Sequence, residues 1–455
     1  MKRTVWAWLV VSSVLFAALA HGEVRPRYGG TLHVTMRAAP TSLDPVEIST
    51  NADSFGGRGV VALLFDTLVS MDDSARVQPA LAQTWQSTHG NQNWEFRLRQ
   101  GVKFHDGTLL TGEIAAASLR TANPGWKVTA DGNTVVIDLE SADSDMLAEL
   151  ALSRNAIAKR DQKIVGTGPF AVAQWQPGKS ATLVANEESW RGRPFLDAIE
   201  IEMGRSFRDQ MNAFDMRKAD LVEVAPEQMH HIVQERRSLA SSGRMELLAL
   251  AFTKDASSTE ERQLRQALGL SIERASIRNV LLQGTGEPGG SLLPSSISGY
   301  GFVFPIAADL QKARQLRNEV RSLPTWRLGY DGNDPLSRVL AERIALNAKD
   351  AGLSLRLATT DEVDLRLARI PIASSNPSVA LSELLTRIGM PAVKNKSGTV
   401  EDLYGQEQSA IATERVIPLF HLPVAYASAP ALKDCDVRLV GTWDVERAWL
   451  ETSQQ

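Results

Sequence analysis

Trp326-Arg327-Leu328-Gly329-Tyr330-Asp331-Gly332-Asn333-Asp334-Pro335-Leu336 is a strand running through a short polar loop into a helix. Trp326–Tyr330 carries the strand. Asp334 followed by Pro335 is a helix start, because an aspartate caps orphan backbone N–H groups and proline at the first helical position has no N–H to lose. Leu336, Val339, Leu340 and Ile344 then share one face at helical spacing, Gly352 closes the helix, and Leu353–Leu357 supplies a second strand. Two strands joined by a helix within about 30 residues make a βαβ unit, which implies a parallel pair inside an α/β sheet. Its loop 331–334 joins a strand's carboxyl end to a helix's amino end, the edge where open α/β sheets bind ligands. That position makes Tyr330 and Asp331 candidate binding residues.

Upstream of this unit, helix–strand alternation begins near residue 247. Ser258 with Glu261 predicts a capping box. Leu264, Ala267, Leu268 and Ile272 give the following helix an apolar face, with a stop at Gly284. The amino-terminal half has a different character. Thr31–Thr35 alternates as a strand and Val60–Leu68 reads as a buried helix. Trp94, Phe96 and Leu98 alternate with Glu95, Arg97 and Arg99, the period-2 pattern of a half-buried strand. Val128 and Val135-Val136-Ile137 flank the turn Asp131-Gly132-Asn133, which completes a small antiparallel unit reaching to about Lys159. Strands resume through 166–170, 181–185 and 199–203, followed by a helix over 207–217 and a strand over 221–224.

The chain has 455 residues, about three domains' worth. Its 49 Lys and Arg against 53 Asp and Glu leave no basic surplus to neutralise a run of phosphates, so no nucleic-acid partner is expected. Residues 1–20 have the form of an export signal: Lys2 and Arg3, an apolar run from Val5 to Leu19, and Ala18-Leu19-Ala20 as a cleavage site. The run is shorter than the roughly 20 apolar residues that span a bilayer. With no cysteine near the cleavage site, a lipid anchor is not expected. These features predict a periplasmic protein, released by cleavage near Ala20.

The residues that resemble catalytic or metal motifs do not hold up. Gly284-x-Gly286-x-x-Gly289 matches a dinucleotide fingerprint by letters, but it follows a helix rather than a strand and contains Pro288, so it reads as a loop. His230 and His231 are adjacent and point about 100° apart on a helix, which suits a solvated face better than a metal. Cys435 is the single cysteine; it excludes an intramolecular disulfide and has no visible catalytic partner. Asn395-Lys396-Ser397 fits a glycosylation sequon without context. No nucleophile elbow is present. The residues therefore predict a protein that is not an enzyme and holds neither cofactor nor metal.

Several ordered segments resemble the family 5 extracellular solute-binding proteins, the oligopeptide-, dipeptide- and nickel-binding components of ABC importers. The most specific is Phe96-Arg97-Leu98-Arg99-Gln100-Gly101-Val102-Lys103-Phe104-His105-Asp106-Gly107-Thr108. With it come Gly29-Gly30-Thr31-Leu32, Thr41-Ser42-Leu43-Asp44-Pro45, Leu64-Phe65-Asp66-Thr67-Leu68-Val69, Pro79-Ala80-Leu81-Ala82, Gly166-Thr167-Gly168-Pro169-Phe170, Leu264-Arg265-Gln266-Ala267-Leu268 and Ile417-Pro418-Leu419-Phe420-His421. The resemblance implies an α/β, two-lobed periplasmic-binding-protein-like clamshell (type II, peptide-binding class) with an extra small antiparallel subdomain. Lobe I is expected over 23–45, 160–246 and 418–455, the subdomain over 46–159 and lobe II over 247–417, with hinge crossings near Leu247 and Pro418.

The function so implied is capture of a small organic solute, short peptides included, between the lobes of a monomer, and its delivery to the membrane permease of an ABC transporter. Nickel-chelate or haem binding, and an extracytoplasmic sensor reusing the fold, are the alternatives. The implied substrate-binding residues are Thr41, Ser42 and Leu43 after the first strand, Phe252 and Thr253 at a strand taken as hinge-proximal, Tyr330 and Asp331, and Ser374, Ser375 and Asn376. Peptide binders of the family carry an aspartate in the last of these segments that pairs with the peptide amine. Here Asn376 precedes Pro377 and no acid stands beside the serines. A neutral amide holds an ammonium less firmly than a carboxylate does, so a standard free-amine peptide is disfavoured as ligand. Asp331 and Asp334 are the acids available to replace it.

Overall fold

A computed structural model describes residues 25–451 apart from 52–53, 301–303, 361 and 395–397. The expected export signal at 1–20 and the sequon at 395–397 lie outside the described residues.

Two mixed sheets organise the chain. The first has seven strands, in spatial order Phe170–Gln176, Ser180–Ala185, Ala198–Glu202, Thr31–Thr35, Leu221–Val224, Ala425–Ser428 and Ser238–Ser241. Thr31–Thr35 is central and runs parallel to both neighbours. The second has six strands, in the order Glu287–Pro288, Val416–Leu422, Glu246–Phe252, Leu365–Pro371, Thr325–Gly329 and Ser354–Ala358. A separate four-stranded antiparallel sheet, made of Ala82–Thr88, Asn93–Leu98, Thr134–Asp138 and Lys127–Asp131, forms the extra subdomain. Each sheet covers its own buried apolar cluster. The protein is thus a two-lobed α/β clamshell.

The chain crosses from the first sheet to the second between Ser241 and Glu246, and returns between Leu422 and Ala425. The return therefore lies a few residues beyond Pro418, which is itself inside a second-lobe strand paired with Ala249. The subdomain's core likewise begins later than residue 46. The helix Phe55–Leu64 buries Val60, Val61, Leu63 and Leu64 in the first lobe's cluster, and the subdomain's own cluster starts at Leu68.

The βαβ unit forms as its residues dictate: strand Thr325–Gly329, helix Pro335–Asp350 and parallel strand Ser354–Ala358. Asp334 accepts the Leu336 N–H at 3.0 Å, and Gly352 takes φ +79° to end the helix. Leu336, Leu340 and Ile344 are buried, but Val339 is exposed. Ser258 caps its helix by accepting the Glu261 N–H at 3.1 Å. The reciprocal half of the expected capping box goes elsewhere, because the Glu261 carboxylate accepts from the N–H and hydroxyl of Ser257. That helix stops at Ser271, where Ile272 turns extended, and a second helix, Arg274–Val280, runs on toward Gly284. Gly284, Gly286 and Gly289 lie in loop positions on either side of the short strand Glu287–Pro288.

Candidate functional site

The second lobe's strands Thr325–Gly329 and Leu365–Pro371 run parallel and end facing the first lobe. Their carboxyl-terminal loops deliver Tyr330–Asp331 and Ala373–Asn376 to the gap between lobes. The first lobe answers with the end of Thr31–Thr35, the helix Phe55–Leu64 and the carboxyl-terminal segment around Trp443. In that helix the glycines of Phe55-Gly56-Gly57-Arg58-Gly59 make close approach feasible. A Cβ on Gly59 would sit 2.6 Å from the Trp443 ring, and one on Gly56 would sit 3.0 Å from Met36 Sδ.

Between the lobes lies a cavity of about 180 Å³. Arg58, Leu63, Met71, Leu152 and Trp443 line it on the first-lobe and subdomain side, and Ala373, Ser374 and Ser375 on the second-lobe side. Arg58 is buried and donates from Nη1 across the gap to the Ile372 carbonyl at 3.2 Å. Ala148, Leu152 and Val379, with Met71 and Ala373 against them, form a small apolar knot beside the cavity. Polar pairs surround the knot: Asn376 Nδ2 donates to Asp145 at 3.1 Å, Lys394 meets Asp143 at 3.1 Å, and Arg154 binds both Glu383 and Glu149. Burial pushes the Glu149 carboxyl up to about 7. The acids that line the cavity are held by their own lobe. Asp66 accepts from Thr167, Trp190 and Arg191; Asp72 from Arg76; Asp73 from the Leu439 N–H; Asp444 from Arg438; and Glu446 from Arg191.

On the other side of the interlobe contact, Arg37 reaches Asp331 at 3.5 Å and lies over the Phe207 ring. Arg369 stands near the same ring, 3.6 Å from Asp334 and hydrogen-bonded to Glu246. Burial opposes its charge, but Glu246 and Asp334 outweigh that and hold its guanidinium above the ordinary arginine range. Burial, with Asp334 adding to it, raises the Glu227 carboxyl.

The expected site residues separate into three groups. Ser374 and Ser375 line the cavity, and Asn376 bridges the lobes while capping the helix Pro377–Arg387 through the Val379 N–H at 3.0 Å. Asp331 reaches the first lobe through Arg37, whereas Tyr330 packs on the second lobe's core. Thr41, Ser42 and Leu43 sit on the first lobe outside the cavity lining. Ser42 accepts the Asp44 N–H, Leu43 packs on the core and Thr41 lies near the turn at Gly178. Phe252 and Thr253 are corrections. Strand Glu246–Phe252 enters the second lobe at Glu246, so these two lie at its far end. Phe252 is buried against Trp326 under the Arg265 guanidinium, and Thr253 donates to the Val363 and Asp364 carbonyls. Arg58 was not among the expected residues, and Trp443 is both a buried member of the first lobe's core and part of the cavity lining. The glycine density around Arg58 was the available signal.

Two α/β lobes joined by two crossings, with a cavity lined from both between them, define the clamshell class of binding proteins. Comparison with known proteins gives the family. The model of the bacterial extracellular solute-binding proteins, family 5 Middle, matches residues 76–376, and the chain belongs to that family. It is 22% identical over 324 residues to the nickel-binding protein NikA of Staphylococcus aureus, covering 66% of this chain and 65% of that protein. It is 23% identical over 302 residues to haem-binding protein A of Haemophilus influenzae, covering 54% of each. The chain thus matches between about half and two thirds of the length of these relatives. Among solved structures, the oligopeptide-binding protein AppA of Bacillus subtilis, in complex with a nonapeptide, superposes with a TM-score of 0.82 at 16% identity, covering 94% of this chain and all of that one. The relatives named are binding proteins rather than enzymes.

Proposed function

We propose that this chain is the extracytoplasmic solute-binding component of an ABC importer, which closes its lobes over one small organic solute and presents it to a membrane permease. The observation that carries the reading is the 180 Å³ cavity, partly open to solvent, built from both lobes and bordered by contacts that exist only when the lobes meet. A solute that touches both lobes binds the closed form better and shifts the equilibrium by that difference; a solute held by one lobe alone would shift nothing. Ser374, Ser375, Asn376, Arg58 and Trp443 are assigned to the site.

The cavity is below the roughly 300–1,000 Å³ typical of drug-sized ligands, which favours a compact solute over an extended peptide. Of the five lining acids, Asp66, Asp72, Asp444 and Glu446 already have arginine partners, which leaves Asp73, held by the Leu439 N–H, as the one carboxylate among the described residues open to a solute ammonium. Its lining residues include no histidine or cysteine, so it favours neither a nickel chelate nor haem. In this reading the protein works as a monomer and breaks no bond.

The test is native mass spectrometry of protein purified from its own periplasm, with release and identification of the bound compound, followed by small-angle scattering with and without it. A compact non-peptide solute at one per chain, with a smaller radius of gyration when bound, is expected. Steady turnover of the compound, or a radius unchanged at saturation, would overturn the reading.

A further inference from the structure

A recess larger than the interlobe cavity lies elsewhere on the first lobe. A groove of about 1640 Å³ opens on the first lobe where strands Ser238–Ser241 and Ala425–Ser428 pair through Ser238 and Ser428.

Its charge is unbalanced in a specific way. Six basic side chains line it against four acidic ones, and every acid already has a partner: Asp215 with Arg237, Asp220 with the His33 N–H, Asp434 with the Trp449 indole N–H and Glu451 with Lys433. The remaining four cations, Arg25, Arg27, Arg217 and Arg236, are exposed and make no side-chain hydrogen bond or ion pair among the described residues. They come from three separate segments of the chain. Arg217 and Arg236 both sit at left-handed turns, each with φ +56°. The sequence bordering the described range holds no complement, since 1–24 and 452–455 together contain one acid, Glu23. Phe214, Ala429 and Pro430 add apolar surface between the charges.

We propose that this groove docks an extended acidic segment of a partner protein, its carboxylates on the four arginines and its apolar side chains on Phe214 and Pro430. Guanidinium groups pair carboxylates with directional, charge-assisted bonds. The concave form suits a chain segment and not a flat bilayer, which would touch only the rim. The recess is also far larger than a small inorganic anion needs.

The test uses the full mature chain and a fluorescein-labelled peptide, (Glu-Leu-Asp-Phe)3, followed by anisotropy at about 50 mM salt, with phosphatidylglycerol vesicles and inorganic tripolyphosphate as comparators. Saturable peptide binding is expected, weakened at least tenfold by Arg217→Asn with Arg236→Asn and at least tenfold at about 300 mM salt. Asparagine tolerates the left-handed turns; Arg25→Ala with Arg27→Ala, outside any turn, gives a second variant should the first melt early. Peptide binding that ignores both double variants would overturn the proposal. So would vesicles or tripolyphosphate binding through these arginines while the peptide does not.

Discussion

At Gly166 and Gly168 the first lobe leaves no volume for a side chain. A Cβ on Gly166 would lie 2.0 Å from the Leu64 carbonyl oxygen, and one on Gly168 would lie 2.4 Å from that of Leu63. The close approach lets Thr167 reach the buried Asp66 carboxylate at 2.8 Å and the His105 N–H reach the Gly166 carbonyl at 2.9 Å. Three of the sequence's most recognisable segments are thereby tied at one point. Gly166→Ala should cost about 1–3 kcal/mol or more, the scale of overpacking against atoms that cannot move aside. Gly101→Ala, at φ +76° in open space, should cost about 1 kcal/mol from backbone strain alone. Urea unfolding compares the two, and equal costs would contradict the steric account. Glu407 poses a different residue-scale question. It is fully buried, it accepts the Leu293 N–H at 3.0 Å and the Tyr300 hydroxyl, and burial pushes its carboxyl up to about 7. An unfolded glutamate titrates near 4.3, so between these values the folded chain keeps a proton that the unfolded chain has released. The stability this confers is complete below about pH 4 and is lost as pH rises through 7, amounting to roughly 4 kcal/mol at most. Glu407→Gln mimics the protonated form and should flatten the fall in urea midpoint between pH 5 and 7.5; an unchanged slope would exclude this residue as its source.

The helix Pro335–Asp350 shows how far patterning reads an element and where it stops. Its start was legible because Asp334-Pro335 is cap chemistry, and its end because Gly352 alone fits a left-handed turn there. Its buried face was only partly legible. Leu336, Leu340, Ile344 and Ala348 form one four-residue ridge against the sheet, and Val339 lies off it in solvent. Phe252 and Thr253 show a harder limit: local sequence does not give a strand's direction relative to the hinge, so the end buried in the lobe was taken for the end facing the cleft. Arg58 and Trp443 converge on one cavity from segments nearly a whole chain apart, and no local pattern records that. Asp334 carries two duties, the Leu336 cap and the approach to Arg369 Nη1 at 3.6 Å. Asp334→Asn keeps a capping acceptor and removes only the charge, whereas Asp334→Ala removes both. Alanine should therefore destabilise by about 1 kcal/mol more than asparagine, and thermal unfolding of the two variants reads that difference. Identical melting would mean the cap contributes nothing beyond the ion pair.

For the molecule as a whole, the decisive quantity is the free-energy gap between lobes apart and lobes together. The extra subdomain contributes directly to it, because Asp143, Asp145 and Arg154 from one short stretch of it meet Lys394, Asn376 and Glu383 of the second lobe. These contacts surround a small apolar knot, so closure combines modest burial with charge pairing rather than relying on the solute alone. Asn376 gives access to that gap without disturbing either lobe. Aspartate in its place still caps the helix Pro377–Arg387, but it sets a second carboxylate within hydrogen-bond distance of Asp145. The repulsion exists only when the lobes meet, so its cost falls on the closed form. At roughly 1–2 kcal/mol for partly exposed charges, Asn376→Asp should lower the apparent solute affinity by about five- to thirtyfold. It should also enlarge the radius of gyration of the solute-free protein, with no loss of unfolding stability within either lobe. Adding Asp145→Asn exchanges the partners and should restore both affinity and radius. Scattering and calorimetry on the single variants and the pair would decide the matter: an Asn376→Asp loss that Asp145→Asn fails to repair would show that the amide serves the solute itself, not the contact between lobes.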